Sequence, residues 1–120
     1  MAKETILRAR TKQFALRVMR LVDSLPNRRS ANTLGNQLLR SATSVGANYR
    51  AAQRARSRAE FRAKLGIVEE EADESVYWLE LLMESGLVKK NLLDNLHQEA
   101  NEITAMIVSS ILTSRTGSSR

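Results

Sequence analysis

The strongest constraint on the fold is a stripe of apolar residues that recurs at helical spacing between positions 61 and 83. Its members follow one another in steps of four, three, four, four, three and four residues: Phe61, Leu65, Val68, Ala72, Val76, Leu79 and Met83. This spacing places them all on one face of an α-helix. Gly86 follows the stripe, and glycine commonly ends a helix at its C-terminus. The pattern therefore predicts a long amphipathic helix here.

Three further stripes have the same spacing. They comprise Leu7, Phe14, Val18 and Leu21; then Leu34, Leu38, Ala42, Val45, Tyr49 and Ala52; and, last in the chain, Leu93, Leu96, Ala100, Ile103, Ile107 and Ile111. The chain has one proline and five glycines, and few β-branched or aromatic residues lie outside isolated positions. Both features argue against strands and their turns. The predicted fold class is all-α.

Local sequence indicates where the helices begin and end. Pro26 separates the first two stripes, and proline cannot continue a helix. Ser57 and Glu60 match the capping box S-x-x-E, so the third helix is expected to begin there and the second to end near Ala55. The fourth helix is expected to open at Asn91.

Four helices joined by short links favour an antiparallel up-down-up-down four-helix bundle. We expect residues 1–114 to form this bundle. Residues 115–120 form a tail of Ser, Gly, Thr and Arg that we expect to be frayed.

The composition excludes several classes of protein. The chain has no cysteine, which rules out disulfides and thiolate chemistry and suits a reducing cytoplasm. Its first residues contain no apolar segment typical of a secretory signal. No stretch approaches the roughly 20 apolar residues of a membrane span. We therefore expect a soluble, cytoplasmic protein.

Residues that could carry chemistry are few. His97 is the only histidine, and Asp94 precedes it by about one helical turn. A metal centre in a bundle draws carboxylates and histidines from several helices, so this pair does not predict a metal site. The acids in 69–74 point in different directions around a helix, which favours a solvated or interface face over paired catalytic carboxylates. No Gly-rich phosphate loop is present. We predict a non-enzymatic protein without a cofactor.

The charges are divided unequally along the chain. Residues 1–64 carry 15 Lys and Arg against three acids, a net charge of +12. Residues 65–120 carry four Lys and Arg against ten acids, a net charge of −6. Such asymmetry is typical of a protein with a polyanionic partner, or of one whose two halves neutralise each other in the fold.

Helix geometry predicts that many of the cations gather at one end of the bundle. At about 100° per residue, the arginines of the second helix lie opposite its apolar stripe and face outward. The candidates for phosphate contact are Arg50, Arg54, Arg56, Arg58 and Arg62, supported by Arg8, Arg10 and Lys12. Lys3, Lys64 and Arg115 are expected at the same end.

Two interpretations of this basic end remain open. The acids in 69–74, with Glu99 and Glu102, are expected to form a belt near the middle of the bundle, close enough for Arg40 to pair with it. Local neutralisation therefore explains Arg40, but it does not explain the basic end. The alternative is that the basic end binds an anion, and arginine contacts to nucleic-acid phosphates carry no sequence information.

Two other features predict close contacts between helices or subunits. Ser41, Ala42, Ser44, Gly46, Ala47, Ala51 and Ala52 are small, so a neighbouring helix from the bundle or from another subunit is able to approach closely. Ile67, Tyr77, Trp78 and Leu82 lie off the main stripe of the third helix and are expected to be partly exposed in a monomer. We therefore expect oligomerisation.

The aromatic residues Phe14, Tyr49, Phe61, Tyr77 and Trp78 are interpreted as core or interface residues rather than as a platform for bases.

The sequence resembles a bacterial four-helix-bundle family that includes the intervening-sequence proteins encoded within large-subunit ribosomal RNA genes. The resemblance runs through residues 39–45, LRSATSV, through Asn48, the turn 54–61 and the segment 84–87, ESGL. It covers about residues 6–113. After Asn48 this chain reads Tyr-Arg-Ala-Ala, where the family more commonly has Ile-Ala-Glu-Gly, so an acid is replaced by alanine and an arginine is added.

The resemblance implies a ring of subunits, typically a homopentamer. It also implies kinship with the accessory proteins of diversity-generating retroelements, which are basic pentamers that bind nucleic acid and a reverse transcriptase. The sequence-based hypothesis is thus an oligomeric bundle that binds RNA or DNA non-specifically through its basic end. The alternative is a protein-interaction scaffold whose arginines pair with acidic faces of neighbouring subunits or of a partner protein. Docking on an anionic membrane is disfavoured, because no helix sets a basic face beside a bulky apolar one.

Overall fold

The computed structural model describes residues 2–115, which form four α-helices and no strand. The helices are α1 (Ala2–Asp23), α2 (Arg29–Gln53), α3 (Arg58–Glu84) and α4 (Lys90–Arg115). Each helix packs against the next one in the chain, and α1 also packs against α4, which closes a four-helix bundle. The bundle is a rod with extents of 47 × 21 × 19 Å. The predicted all-α class and the four-helix bundle are therefore confirmed.

The first link lies where the proline predicted it. α1 ends at Asp23, and the backbone N–H of Ser24 bonds to the carbonyl of Leu21 at 3.0 Å in a final turn. Pro26 follows, and α2 begins at Arg29. The proline therefore separates α1 from α2 because its ring cannot continue the helix.

The second link is fixed by the predicted capping box. The Ser57 hydroxyl accepts a hydrogen bond from the Glu60 backbone N–H at 3.0 Å. The Glu60 carboxylate in turn accepts one from the backbone N–H of Arg56 at 3.1 Å, one residue before the position that a standard box would use. The predicted start of α3 is confirmed, and the link that carries Arg54 and Arg56 is tied to the helix that follows it.

The third link turns at Gly86, whose φ of 76° lies in the left-handed region that favours glycine. α4 begins at Lys90, one residue before the predicted opening at Asn91. Lys90 lies within the first turn and its ammonium is 4.0 Å from the Asp94 carboxylate, so Asp94 supports the helix as an i+4 partner.

The predicted stripes form the core with few exceptions. All six stripe residues of α4 are buried, as are those of α3 apart from the half-buried Met83. Phe14, Tyr49 and Phe61 are also buried, which confirms their interpretation as core residues. Burial and the nearby Glu4 carboxylate raise the pKa of Tyr49 to about 12.

One expectation for the outer face of α3 is wrong. Leu82 was expected to be partly exposed, but it is fully buried, because the apolar contact surface of α3 is wider than a single stripe. Ile67 and Tyr77 are exposed as expected, with 43% and 52% of their surface accessible. Trp78 is half-buried and donates its indole N–H to Glu74 at 3.1 Å.

Small residues allow close helix approach inside the bundle. A side chain added at Gly46 would place its Cβ 3.4 Å from the hydroxyl of Thr11, so α1 approaches α2 closely at this point. Ser41 of α2 and Ser75 of α3 are both buried, and their hydroxyls lie 2.8 Å apart in a hydrogen bond. The expected close approach is therefore found within the chain itself.

The predicted frayed tail falls mostly outside the described residues, since 116–120 are not among them. α4 extends through Arg115. Within the described part of the chain, no helix is both long enough and apolar enough to cross a membrane.

The capping box gives a first testable prediction. Replacing Ser57 by Ala should lower the free energy of unfolding by about 1 kcal/mol, because the Glu60 N–H loses its acceptor. Urea unfolding followed by circular dichroism measures this change. Ser30→Ala is the matched control, since Ser30 is exposed near the start of α2 and its hydroxyl makes no hydrogen bond with residues 2–115. Equal stability of the two variants would show that the cap does not hold the link.

Candidate functional site

The solvent-facing stripe of α2 has little bulk. Thr43, Ala47, Arg50 and Arg54 follow one another in helical steps of four, three and four, and all are exposed. They lie opposite the buried stripe of the same helix. The stripe therefore offers two arginines beside a low surface at Ala47.

A groove runs along each side of this stripe. The α1–α2 groove has a volume of about 280 Å³ and is lined by Arg8, Thr11, Lys12, Ala15, Thr43, Gly46, Ala47 and Arg50. The α2–α3 groove has a volume of about 580 Å³ and is lined by Ala47, Arg50, Ala51, Arg54, Arg56, Glu60 and Lys64. Ala47 and Arg50 line both grooves, so the two form one continuous surface across α2.

We call the cations of these two grooves the basic surface. They are Arg8, Lys12, Arg50, Arg54, Arg56 and Lys64. Within residues 2–115, none of their side chains forms a hydrogen bond or an ion pair. Glu60 is the one acid among the lining residues, and its carboxylate accepts a hydrogen bond from the backbone of Arg56. The basic surface thus carries a concentrated and unneutralised positive charge.

Two arginines of the bundle are neutralised by acids on a neighbouring helix. Arg40 donates to Glu71 at 3.2 Å and also to Glu74, which confirms the predicted pairing of Arg40 with the acids of α3. This pair joins α2 to α3 near the middle of the rod. Exposed arginines elsewhere, such as Arg28 and Arg29 near the start of α2, also have no acidic partner within residues 2–115, so the basic surface is distinguished by the six cations that line its two adjoining grooves.

Arg10 lies in a second cluster of this kind, which we call the α1–α4 clamp. Its guanidinium donates to Glu99 through Nε at 2.9 Å and to Glu102 through Nη2 at 2.7 Å. The hydrogen bond to Glu99, and to a smaller extent the one to Glu102, raises the pKa of Arg10 above its ordinary value. The bond from Arg10, helped by one from Gln98, lowers the pKa of Glu102. Arg10 thus ties α1 to α4 and does not line either groove.

The remaining predicted residues have different positions. Arg62 is half-buried and its Nη1 lies 3.4 Å from the carbonyl oxygen of Ser114, so it faces α4. Arg58 is exposed at the first position of α3 but lines neither groove. Five of the eight candidates, Arg8, Lys12, Arg50, Arg54 and Arg56, are brought together on one surface.

Sequence reasoning placed Lys64 at the same end of the bundle but not among the candidate contacts. Lys64 follows Glu60 by four residues, so both lie on the face of α3 that borders the α2–α3 groove. This spacing from the capping residue is the feature that identifies Lys64 from the sequence.

His97 lies away from the candidate site. Its Nε2 is 3.0 Å from a carboxylate oxygen of Glu80, which joins α4 to α3. Among residues 2–115, no three His, Cys, Asp or Glu side chains converge on a point where they could hold a metal ion.

The α1–α4 clamp generates a prediction about pH. Because the pKa of Glu102 is lowered in the folded protein, its contribution to stability is present above the ordinary glutamate pKa of about 4.3 and is lost as the pH falls through the lower folded value. The difference in unfolding free energy between the wild type and Glu102→Gln should therefore be largest near neutral pH and should disappear in acid. Urea unfolding between neutral and strongly acidic pH measures it.

The matched control is Glu70→Gln. Glu70 is exposed and makes no hydrogen bond or ion pair within the described residues, so its replacement should not produce the same pH dependence. A Glu102→Gln difference that stays constant with pH would contradict a charged clamp.

Comparison with known proteins relates the chain to a bacterial family. A family model described as 23S rRNA-intervening sequence protein matches residues 3–109. A crystal structure from Bacteroides thetaiotaomicron, described as a protein with unknown function from the S23 ribosomal protein family, is 36% identical in sequence. That match covers 92% of this chain and 99% of the other, with a TM-score of 0.86. A search of the curated proteins found no match.

Proposed function

The chain belongs to the family of 23S rRNA-intervening sequence proteins, and from this premise we propose that it binds nucleic acid without catalysing a reaction. The basic surface is the proposed binding site. Its arginines and lysines contact the phosphates of RNA or DNA, and binding is independent of sequence.

One observation carries this proposal: six cations line two adjoining grooves without a carboxylate partner within residues 2–115, whereas Arg10 and Arg40 have two each. Cations that repel one another in a cluster destabilise a fold, and a bound anion relieves that repulsion. Because phosphates would neutralise this charge, a polyanion is the chemically matched partner. Arg10 and Arg62, which face α4, are assigned to the bundle rather than to the binding site.

The low surface at Ala47 adds to the argument. Arg50 and Arg54 follow it on the exposed stripe, so a phosphate that contacts them is able to approach α2 at Ala47 without meeting a bulky side chain. No aromatic residue lines either groove, and binding through stacked bases is therefore not expected to contribute. The affinity should come from charge and should weaken steeply with salt.

We further propose that the helices alternate in direction, as in an up-down-up-down bundle. Two contacts between α3 and α4 support this order. Arg62, near the start of α3, contacts Ser114 near the end of α4, while Glu80, later in α3, contacts His97, earlier in α4.

We also propose a ring of identical subunits, with a pentamer as the form implied by the family resemblance. The exposed Ile67 and Tyr77 on α3 offer apolar surface for a neighbouring subunit. A ring multiplies the basic surface, which converts weak phosphate contacts into avidity when one strand reaches several subunits. Light scattering of the purified protein tests this proposal, and a mass of about 13.5 kDa would contradict it.

A protein partner such as a reverse transcriptase is a further proposal that rests on the resemblance alone.

A scaffold that binds protein is the second candidate function. It is favoured by Glu70, Asp73 and Glu84, exposed acids of α3 that make no ion pair within the described residues and that could receive arginines of another subunit. A salt titration separates the two functions. Release of nucleic acid from an intact assembly supports the binding protein, whereas dissociation of the assembly itself supports the scaffold.

The decisive variant of the proposed site is Arg50→Glu, Arg54→Glu and Arg56→Glu combined. It should abolish the shift of a nucleic-acid probe in a gel at low salt, because three phosphate contacts become repulsive. If residual binding is measurable, the slope of log affinity against log salt should be smaller by about 3. Fluorescence anisotropy with a labelled oligonucleotide measures both quantities.

The control variant carries the same change of charge around the first link, between the end of α1 and the start of α2: Arg20→Glu, Arg28→Glu and Arg29→Glu. These residues are exposed, and Arg29 lies roughly 30 Å along the helix from Arg50. Circular dichroism establishes that both variants are folded. Equal loss of binding in the two variants would mean that net charge alone, and not the basic surface, determines binding.

A further inference from the structure

The cations of the basic surface lie on both sides of α2. Arg8 and Lys12 border it from α1, and we call them the α1 flank. Arg56 and Lys64 border it from the second link and from α3, and we call them the α3 flank. A single strand that follows one groove would contact one flank and leave the other without a partner. The arrangement therefore matches a partner with two parallel rows of phosphates.

The separation of the flanks is similar to the width of the major groove of B-form DNA. They are divided by α2, and a helix with its side chains is about 10–12 Å across. The major groove of B-form DNA is about 12 Å wide and admits an α-helix, with a phosphate backbone on each side. The major groove of an A-form RNA duplex is deep and narrow and does not admit one.

The exposed stripe of α2 also suits this position. Ala47 is exposed, and Gly46 and Ala51 beside it add little volume, so α2 is able to sit deep in a groove. Arg50 and Arg54 project from the same stripe. Proteins that hold single strands commonly stack bases on aromatic side chains, and neither groove is lined by one.

We infer that the partner is double-stranded DNA of B form, with the C-terminal half of α2 in the major groove and the two flanks on the phosphates of opposite strands. This inference rests on the proposed nucleic-acid binding and specifies its substrate. The contacts of the flanks are to the backbone, so they position the duplex without reading its sequence.

The first test compares a short DNA duplex, its separate single strand and an RNA duplex of the same sequence. Two paired variants remove one flank each: Arg8→Ala with Lys12→Ala, and Arg56→Ala with Lys64→Ala. On the DNA duplex, each pair should reduce the slope of log affinity against log salt by about 2, and the combined variant by about 4. The DNA duplex should be bound more tightly than either of the other probes.

The second test adds bulk to the stripe of α2. Ala47→Trp should lose most of its affinity for the DNA duplex, because the indole ring holds α2 out of the groove. Ala105→Trp is the matched control, since Ala105 is exposed on α4 and lines neither groove. It should bind the duplex as the wild type does.

The outcomes separate this inference from the proposal beneath it. If the single strand or the RNA duplex binds at least as tightly as the DNA duplex, or if only one flank affects the salt slope, the inference is overturned while nucleic-acid binding stands. Unchanged duplex binding by Ala47→Trp also overturns it. If none of the three probes is bound at low salt, the proposed function itself is wrong.

Discussion

The distribution of charge over this protein depends on which of its acids are held in ion pairs. The carboxylates of Glu71 and Glu74 are engaged by Arg40, and those of Glu99 and Glu102 by Arg10. Both clusters join neighbouring helices, and both hold carboxylates at a distance from the exposed basic stripe of α2. The first half of the chain has far more cations than acids, so its cations outside these two clusters are left without acidic partners. The same ion pairs that join the helices therefore create the electrostatic contrast from which we propose a function.

Much of the fold follows from local sequence. The stripes predicted the helices because burial of an apolar face is what stabilises a helix in a bundle. Ser57 predicted the start of α3 because a capping box spans only a few residues. The acidic partners of Arg40 were predictable because Arg40 and these acids lie near the middle of their long helices. Arg10 and Arg62 were grouped with the basic end because helical spacing gives the face on which a residue lies, but not the neighbour that this face meets.

The family assignment and the structure contribute different information. The related structure from Bacteroides thetaiotaomicron shares the fold over almost its whole length, but its description assigns it no activity. Arg50 lines both grooves, so the proposal of anion binding depends on the surface residues of this chain and not on its family alone. Function within such a fold depends on its surface residues rather than on the fold itself.

The buried hydroxyl pair of Ser41 and Ser75 has a consequence for the precision of this surface. Each hydroxyl also lies within hydrogen-bond distance of a carbonyl of its own helix, Leu38 for Ser41 and Glu71 for Ser75, so one hydroxyl donates to its carbonyl while the other donates across to its partner, a bond that exists only at this axial alignment of α2 with α3. A slide of one helix by a turn would break this bond between the helices, at a cost of about 1 kcal/mol. An otherwise uniform apolar seam would tolerate such sliding more readily. The bond between two small side chains in the interior therefore favours one longitudinal spacing between charges many residues away.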